Sequence, residues 1–236
     1  FFTRKRSPLF FLKNRQNRDE FLEIKMHKPV LLKEVMDLLR VKDEGIYLDG
    51  TVGFGGHMEA ILSKGEKTRV IGIDRDPEAI TYLKQKYASF LPPHPERLYL
   101  FQGNFKDILK MKKKFPETEL DGALLDLGIS SFQIDEAGRG FSFQREGPLD
   151  MRMDPKWGGP RAKDLVNTLS EEDLADLFFK FGEERFSRKI AHAIVAKRAR
   201  QPFRTTLDLS NLIAALFPSA RQRIHPATRV FQALRI

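Results

Sequence analysis

Between residues 30 and 126, short apolar runs alternate with segments of helical period, and this alternation restricts the fold more than any other feature of the 236-residue chain. Ile46-Tyr47-Leu48, Val70-Ile71-Gly72-Ile73, Leu98 to Phe101 and Ala123-Leu124-Leu125 read as strands. Val30 to Leu39 reads as a lead-in helix. Further helices fill the intervals over Phe54 to Lys64, Pro77 to about Phe90, and Asp107 to Phe115, with Pro77 suited to a first helical turn. Strands joined through helices pair in parallel, with helices covering both faces of the sheet. The expected class is therefore α/β.

Three of these strands run into an acid: Asp49, Asp74 and Asp126. In open parallel sheets ligands bind beyond the carboxyl ends of the strands, so the three carboxylates are expected to ring one crevice. Asp49 opens the turn Asp49-Gly-Thr-Val-Gly-Phe-Gly-Gly-His57. Its glycines permit positive φ and close ligand approach, and the helix that follows presents free N–H groups. Asp74 stands where a carboxylate accepts both ribose hydroxyls of a nucleoside.

Dinucleotide enzymes and methyltransferases share such a turn. The dinucleotide fingerprint requires a third glycine three residues after the second, and counting from Gly53 and Gly55 that position is Met58. Asp49 also repels a pyrophosphate but suits a ligand carrying an ammonium and a sulfonium. These two features favour S-adenosylmethionine, with a nicotinamide-dependent oxidoreductase as the alternative. His57, one residue inside the helix, reads from its position as a packing or loop-bonding residue. The five histidines are scattered and there are no cysteines, so no metal site is expected. A G-x-S-x-G elbow and a P-loop lysine are both lacking, which leaves hydrolase and phosphate-transfer chemistry without support.

Asp126-Leu-Gly-Ile-Ser-Ser-Phe-Gln133 follows the fourth strand. Methylating an exocyclic base amine requires an acceptor that aligns the amine, and a site that excludes water. Asp126, Ser130 and Ser131 are acceptors at the expected edge, and Phe105 or Phe132 could stack on a ring. The serines suit helix capping equally. Residues 127–161 lack a sustained period and read as a long loop region, and loops of that length inside a domain are usually functional or disordered. Helices follow, beginning with a cap at Ser170 and continuing over Arg185 to Arg200 and Thr206 to Phe217.

The formal charge of +9 is uneven: from Arg185 to Ile236 there are eleven Lys/Arg against Asp208 alone. That distribution points to a polyanion against this region, with Arg188 and Arg198 as candidate RNA contacts, although a solvated basic face produces the same pattern. Met26-His27-Lys28-Pro29-Val30 resembles a genuine start, which makes residues 1–25 a basic N-terminal extension. An organelle presequence is the rival, weakened by Asp19, Glu20 and Glu23.

Taken together, Asp49–His57, Ile73-Asp-Arg-Asp-Pro77, Asp126–Ser131, Arg139-Gly-Phe-Ser-Phe143, Gly147-Pro-Leu-Asp-Met-Arg-Met-Asp154 and His225-Pro-Ala-Thr-Arg229 resemble the RsmH (MraW) family of bacterial 16S rRNA cytosine-N4 methyltransferases. The resemblance runs from about His27 to Ile236. It implies a Rossmann-like methyltransferase sheet with an inserted helical subdomain. It also implies a cytoplasmic enzyme that moves a methyl group from S-adenosylmethionine to N4 of a cytidine in the decoding centre of the small ribosomal subunit. By position it makes Gly55, Gly56, His57, Asp74, Phe105, Asp126 and Gln133 the cofactor contacts, with Asp126 also the catalytic candidate. The implied division is a core over 26–134, a substrate-recognition insertion over 135–225, and a return to the core from 226–236. Family members continue for several dozen residues with further strands, so an incomplete sheet with an exposed apolar edge is expected. A non-catalytic RNA-binding factor that keeps the same fold is the reading from another class.

Overall fold

The computed structural model describes residues 29–92, 96–111, 115, 119–156, 158–217 and 224–236. The expected extension over 1–25 and part of the helix expected over Asp107–Phe115 lie outside them. Four parallel strands, β1 (Ile46–Asp49), β2 (Arg69–Asp74), β3 (Leu98–Gln102) and β4 (Gly122–Leu124), form one sheet in the order β3-β2-β1-β4. The chain steps outward from β1 to β3 and then returns to the far side of β1. The strand order therefore reverses between β1 and β4, and that switch point is where an open α/β sheet leaves a crevice.

Helices α1 (Leu32–Leu39), α2 (Gly56–Leu62) and α3 (Pro77–Lys86) cover one face, where Tyr47, Met58, Ile61, Val70, Leu83 and Leu98 are buried together. On the other face Leu48, Ile71, Ile73, Tyr99 and Phe115 form a second layer with Ile108 and Met111 of the short α4 (Ile108–Met111). Asp76 caps α3 by accepting the Glu78 N–H at 3.0 Å, with Pro77 in the first turn. The helix breaks earlier than its apolar pattern does: Ala88–Phe90 forms a separate 3₁₀ turn. Among the described residues β4 pairs with β1 alone, and Leu125 and Leu127 are exposed beside it.

Helix α5 (Ser131–Asp135) lies inside the segment expected to be loop. It is short because its stability comes from a capping box rather than from an apolar stripe. Beyond it, α6 (Ala162–Thr168), α7 (Glu171–Gly182), α8 (Ser187–Arg198), α9 (Thr206–Ala215) and α10 (Thr228–Arg235) enclose a separate core containing Phe141, Leu149, Phe178, Ile190, Phe203 and Phe231. Ser170 caps α7 through the Asp173 N–H at 3.0 Å, and three acids in its first turn favour that helix terminus.

The expected return to the sheet at 226–236 is not what the packing shows. Val230, Phe231, Ala233 and Leu234 of α10 are buried in the helical core, and Gly182 of α7 lies so close to the Arg229 carbonyl that a Cβ there would sit 2.3 Å from it. The apolar face of α10 repeats at helical spacing and needs a helical partner, which α7 supplies.

Candidate active site

The glycine turn lies at the switch point. Gly53 and Gly55 adopt φ of 49° and 90°, a left-handed backbone that side chains resist. The Asp74 Oδ2 accepts the Gly53 N–H at 2.7 Å and its Oδ1 accepts the Asp76 N–H at 2.9 Å. The acid after β2 thus shapes the turn after β1 while keeping lone pairs for a ligand. Burial raises its carboxyl above the usual range, against the pull of these N–H groups.

Asp49 is only 1% exposed, and its Oδ1 accepts the Thr51 N–H at 3.2 Å. Burial pushes its carboxyl up to about 7, opposed by that hydrogen bond and reinforced by the charges of Asp74 and Asp126. The three carboxylates therefore share one electrostatic neighbourhood. Asp126 lies two residues beyond β4 rather than at its end, and its side chain is exposed. Its backbone N–H donates to the Thr51 hydroxyl at 2.7 Å, which ties the loop after β4 to the glycine turn.

The other candidates have mixed surroundings. A Cβ added at Gly50 would sit 3.1 Å from the Phe105 Cβ, so Phe105 flanks the turn. Gly55 is the N-cap of α2, and Gly56 lies beneath Pro29, whose ring a Cβ there would meet at 2.4 Å. His57 is buried, with Nε2 3.1 Å from the Val30 carbonyl. The segment 29–30 is thereby fastened over the Gly-Gly-His triplet, as the position of His57 alone implied. Ser130 caps α5: its hydroxyl accepts the Gln133 N–H at 3.2 Å, while the Gln133 Oε1 accepts the Ser130 N–H at 3.0 Å. Phe132 packs on Phe54 of the glycine turn at 4.8 Å, with Tyr82 on the same ring at 5.4 Å. Among the described residues, no group of three or more His, Cys, Asp or Glu is placed to hold a metal ion.

Sequence reasoning passed over two residues that the structure makes central. Asp76, 1% exposed, accepts the Gln133 Nε2 at 2.8 Å and pairs with Arg139 at 3.0 Å. Arg139, 6% exposed, also reaches Glu78 at 3.3 Å and the Met153 carbonyl at 2.6 Å. One buried ion pair therefore joins the segment after β2, the α5 cap and the 147–154 segment. Gly140, at φ 73°, lets the Pro148 carbonyl pass where a Cβ would lie 1.9 Å away, and Asp154 returns to the sheet edge by accepting the Gln102 Nε2 at 3.1 Å. The signal for both residues was in the motifs. Asp76 is the second acid of Asp74-Arg-Asp-Pro77, and Arg139 opens Arg139-Gly-Phe-Ser-Phe143.

Arg198 corrects another expectation. Its guanidinium donates to the Val166 carbonyl at 2.7 Å and the Leu169 carbonyl at 2.6 Å, closing the end of α6. Arg198→Ala is expected to cost about 1.5–3 kcal/mol of stability in chemical denaturation, because two acceptors lose a charged donor. RNA affinity reduced as strongly as for an exposed arginine, with stability unchanged, would contradict this role.

The sequence pattern of the MraW methylase family matches residues 24–236. The chain belongs to that family. Similar relatives include proteins named ribosomal RNA small subunit methyltransferase H. That of Syntrophobacter fumaroxidans is 48% identical over 214 residues, covering 89% of this chain and 65% of the relative. That of Acidiphilium cryptum is 49% identical over 210 residues with the same coverage, and that of Stenotrophomonas maltophilia K279a is 47% identical over 212 residues. The chain thus spans somewhat less than two thirds of the length of these MraW-family relatives. The range matched by the family pattern, 24–236, contains the glycine turn, the three acids and the 147–154 segment.

Proposed function

We propose that this MraW-family protein transfers a methyl group from S-adenosylmethionine to N4 of a cytidine in the decoding centre of 16S rRNA, acting in the cytoplasm on the RNA or the small subunit. The observation that carries the reading is the buried Asp49 beside Asp74 and Asp126 at the switch point of the sheet. A ribose diol, an ammonium and a sulfonium together match a site that offers carboxylates and glycine-turn N–H groups. When bound, S-adenosylmethionine supplies an electrophilic methyl group. Asp74 would hold the ribose, and Gly55, Gly56 and His57 would line the approach to α2. Phe105 would flank the nucleoside beside Gly50, and Gln133 would close the site through Asp76.

The target nitrogen is a poor nucleophile because its lone pair is delocalised into the ring. Asp126, exposed at the crevice, would accept a hydrogen bond from the amine and hold it in line for transfer. A carboxylate there also favours the cationic charge that develops on the base as the bond forms. A target nucleotide within a helix would first have to swing out of its stack.

Transfer of labelled methyl from S-adenosylmethionine to small-subunit RNA tests the reading, with nucleoside analysis of the product. N4-methylcytidine is the expected product. Methylation elsewhere would overturn the assigned atom, and RNA binding without cofactor binding by calorimetry would favour the non-catalytic RNA-binding reading.

Asp49 makes the cofactor step pH-dependent. Within the fold its carboxyl keeps a proton up to about pH 7, whereas the unfolded chain loses it near pH 3.8, the ordinary value for an aspartate. The folded state therefore binds the extra proton across that window, and this group lowers stability as pH rises through it. A cationic ligand reverses the preference. Cofactor affinity is expected to rise with pH, by up to about tenfold per unit below pH 7, and to level off above. Calorimetry in buffers of different ionisation enthalpy should show proton release at pH 6 and none at pH 8, and Asp49→Asn should abolish it. Equal affinities at both pH values would remove Asp49 from the site.

A further inference from the structure

The exposed phenylalanines among the described residues all fall between positions 179 and 186 of the helical unit. Phe179 and Phe181 end α7, and Phe186 closes the turn into α8; all three are largely exposed, Phe179 at 61% and Phe186 at 53%. Soluble surfaces seldom keep large aromatic faces in water without a use for them. Phe186 is moreover held in place. Its N–H donates to the Glu184 Oε1 at 2.8 Å, Glu184 is buried, and the ring packs on Phe217 at 5.1 Å. The turn is fixed from behind by Arg229 of α10, which donates to the Glu183 carbonyl at 2.7 Å.

The surroundings of these rings are cationic. Arg185 and Arg188 are exposed on either side of Phe186. Lys189 lies 4.7 Å over the Phe217 ring and donates to the Leu216 carbonyl at 3.1 Å. Asp208, the single acid from residue 185 onward, is turned to other work: its Oδ2 accepts the Arg204 and Thr205 N–H groups, each at 2.9 Å. Glu183 is exposed at the start of the turn. The cations around Phe186 nevertheless outnumber it.

We infer that the α7–α8 turn is a stacking platform for single-stranded RNA, with Phe186 receiving a base and Arg185 and Arg188 the flanking phosphates. Aromatic faces accept any base, and the cations follow the backbone, so this chemistry fits an unpaired strand rather than a duplex groove. The rigid setting of Phe186 reduces the ordering cost of binding. The inference rests on the proposed RNA substrate and extends it to a surface outside the methyl-transfer site.

Fluorescence anisotropy with a labelled oligoribonucleotide of about 12 nucleotides, within the span such surfaces occupy, separates the two contributions by their salt dependence. Phe186→Ala is expected to weaken binding about tenfold with the slope of log affinity against log salt unchanged, because stacking releases no counterions. Phe186→Trp should retain affinity. Arg188→Ala should weaken binding and lower the slope by about 0.7. Cofactor affinity should be unaltered in all three variants, which also shows that they are folded. Phe186→Ala binding within twofold of the parent would overturn the platform and leave the rings to a protein partner. RNA binding without methyl transfer by the parent protein would count against the proposed reaction while sparing the platform, and a parent protein that binds no oligoribonucleotide would end the platform while leaving the reaction on the small subunit to the methyl-transfer assay.

Discussion

Asp74→Ala is expected to weaken S-adenosylmethionine binding by a factor on the order of 100 to 10,000. A carboxylate that accepts two hydroxyls contributes about 1.5–3 kcal/mol for each, and each 1.4 kcal/mol is tenfold in affinity. The loss has a second source in this protein. Asp74 also accepts the N–H groups of Gly53 and Asp76, so its removal releases the glycine turn from the conformation that admits a ligand. Asparagine is no substitute, because it offers one acceptor oxygen and turns its amide toward an N–H donor. Calorimetry with S-adenosylmethionine measures the change, and RNA affinity should move less than threefold. Cofactor affinity within tenfold of the parent would exclude Asp74 as the ribose anchor.

Arg139→Met carries the largest expected loss of stability. The pair with Asp76 is buried on both sides, at 6% and 1% exposure, and removing one partner of such a pair costs about 3–5 kcal/mol. In a protein of this size that corresponds to a fall of about 10 °C in melting temperature. Asp76 would remain as an uncompensated charge beside Gln133, and the carbonyls of Arg152 and Met153 would lose their donor. Adding Asp76→Asn should recover part of the loss, because asparagine retains the cap on α3 while removing the stranded charge. Denaturant titration of both variants checks this. A single variant within 1 kcal/mol of the parent, or a double variant less stable than the single, would show that the pair does not fasten the 147–154 segment. The pair is not fully satisfied even in the intact protein, since the Arg139 Nε is buried without an acceptor among the described residues. Burial of so costly a group fits a role in fixing geometry more than in adding stability.

The limits of sequence reading are clearest where one residue has two plausible uses. Ser130 was an acceptor for substrate or a helix cap, and its hydroxyl is occupied by the Gln133 N–H. Arg188 and Arg198 were equivalent cations ten residues apart on one helix, yet one is exposed and the other donates to two carbonyls of the α6 end. No pattern of charge within α8 separates them, because what differs is the element lying against each face. His57 could be placed in packing from its position in the helix. That its partner would be the carbonyl of Val30, 27 residues earlier, could not.

The sequence by itself determined what local rules govern. Apolar runs of strand length broken by helical segments dictated a parallel α/β sheet, and glycines at positive φ between a strand and a helix dictated an open turn beside Asp49. Proline after an acid, or serine before a run of acids, marked the caps of α3 and α7. The tertiary structure alone decided the order β3-β2-β1-β4, which puts the reversal between β1 and β4 and so gathers Asp49, Asp74 and Asp126 at one edge. It alone placed α10 in the helical core and paired Asp76 with Arg139 across 63 positions of chain. The physical reason is common to these cases. Backbone geometry and periodicity act over a few residues and are written locally, whereas desolvation acts through whatever surface folding brings against a group. Its cost on Asp49 and Arg139 exists only once the distant segments have closed over them.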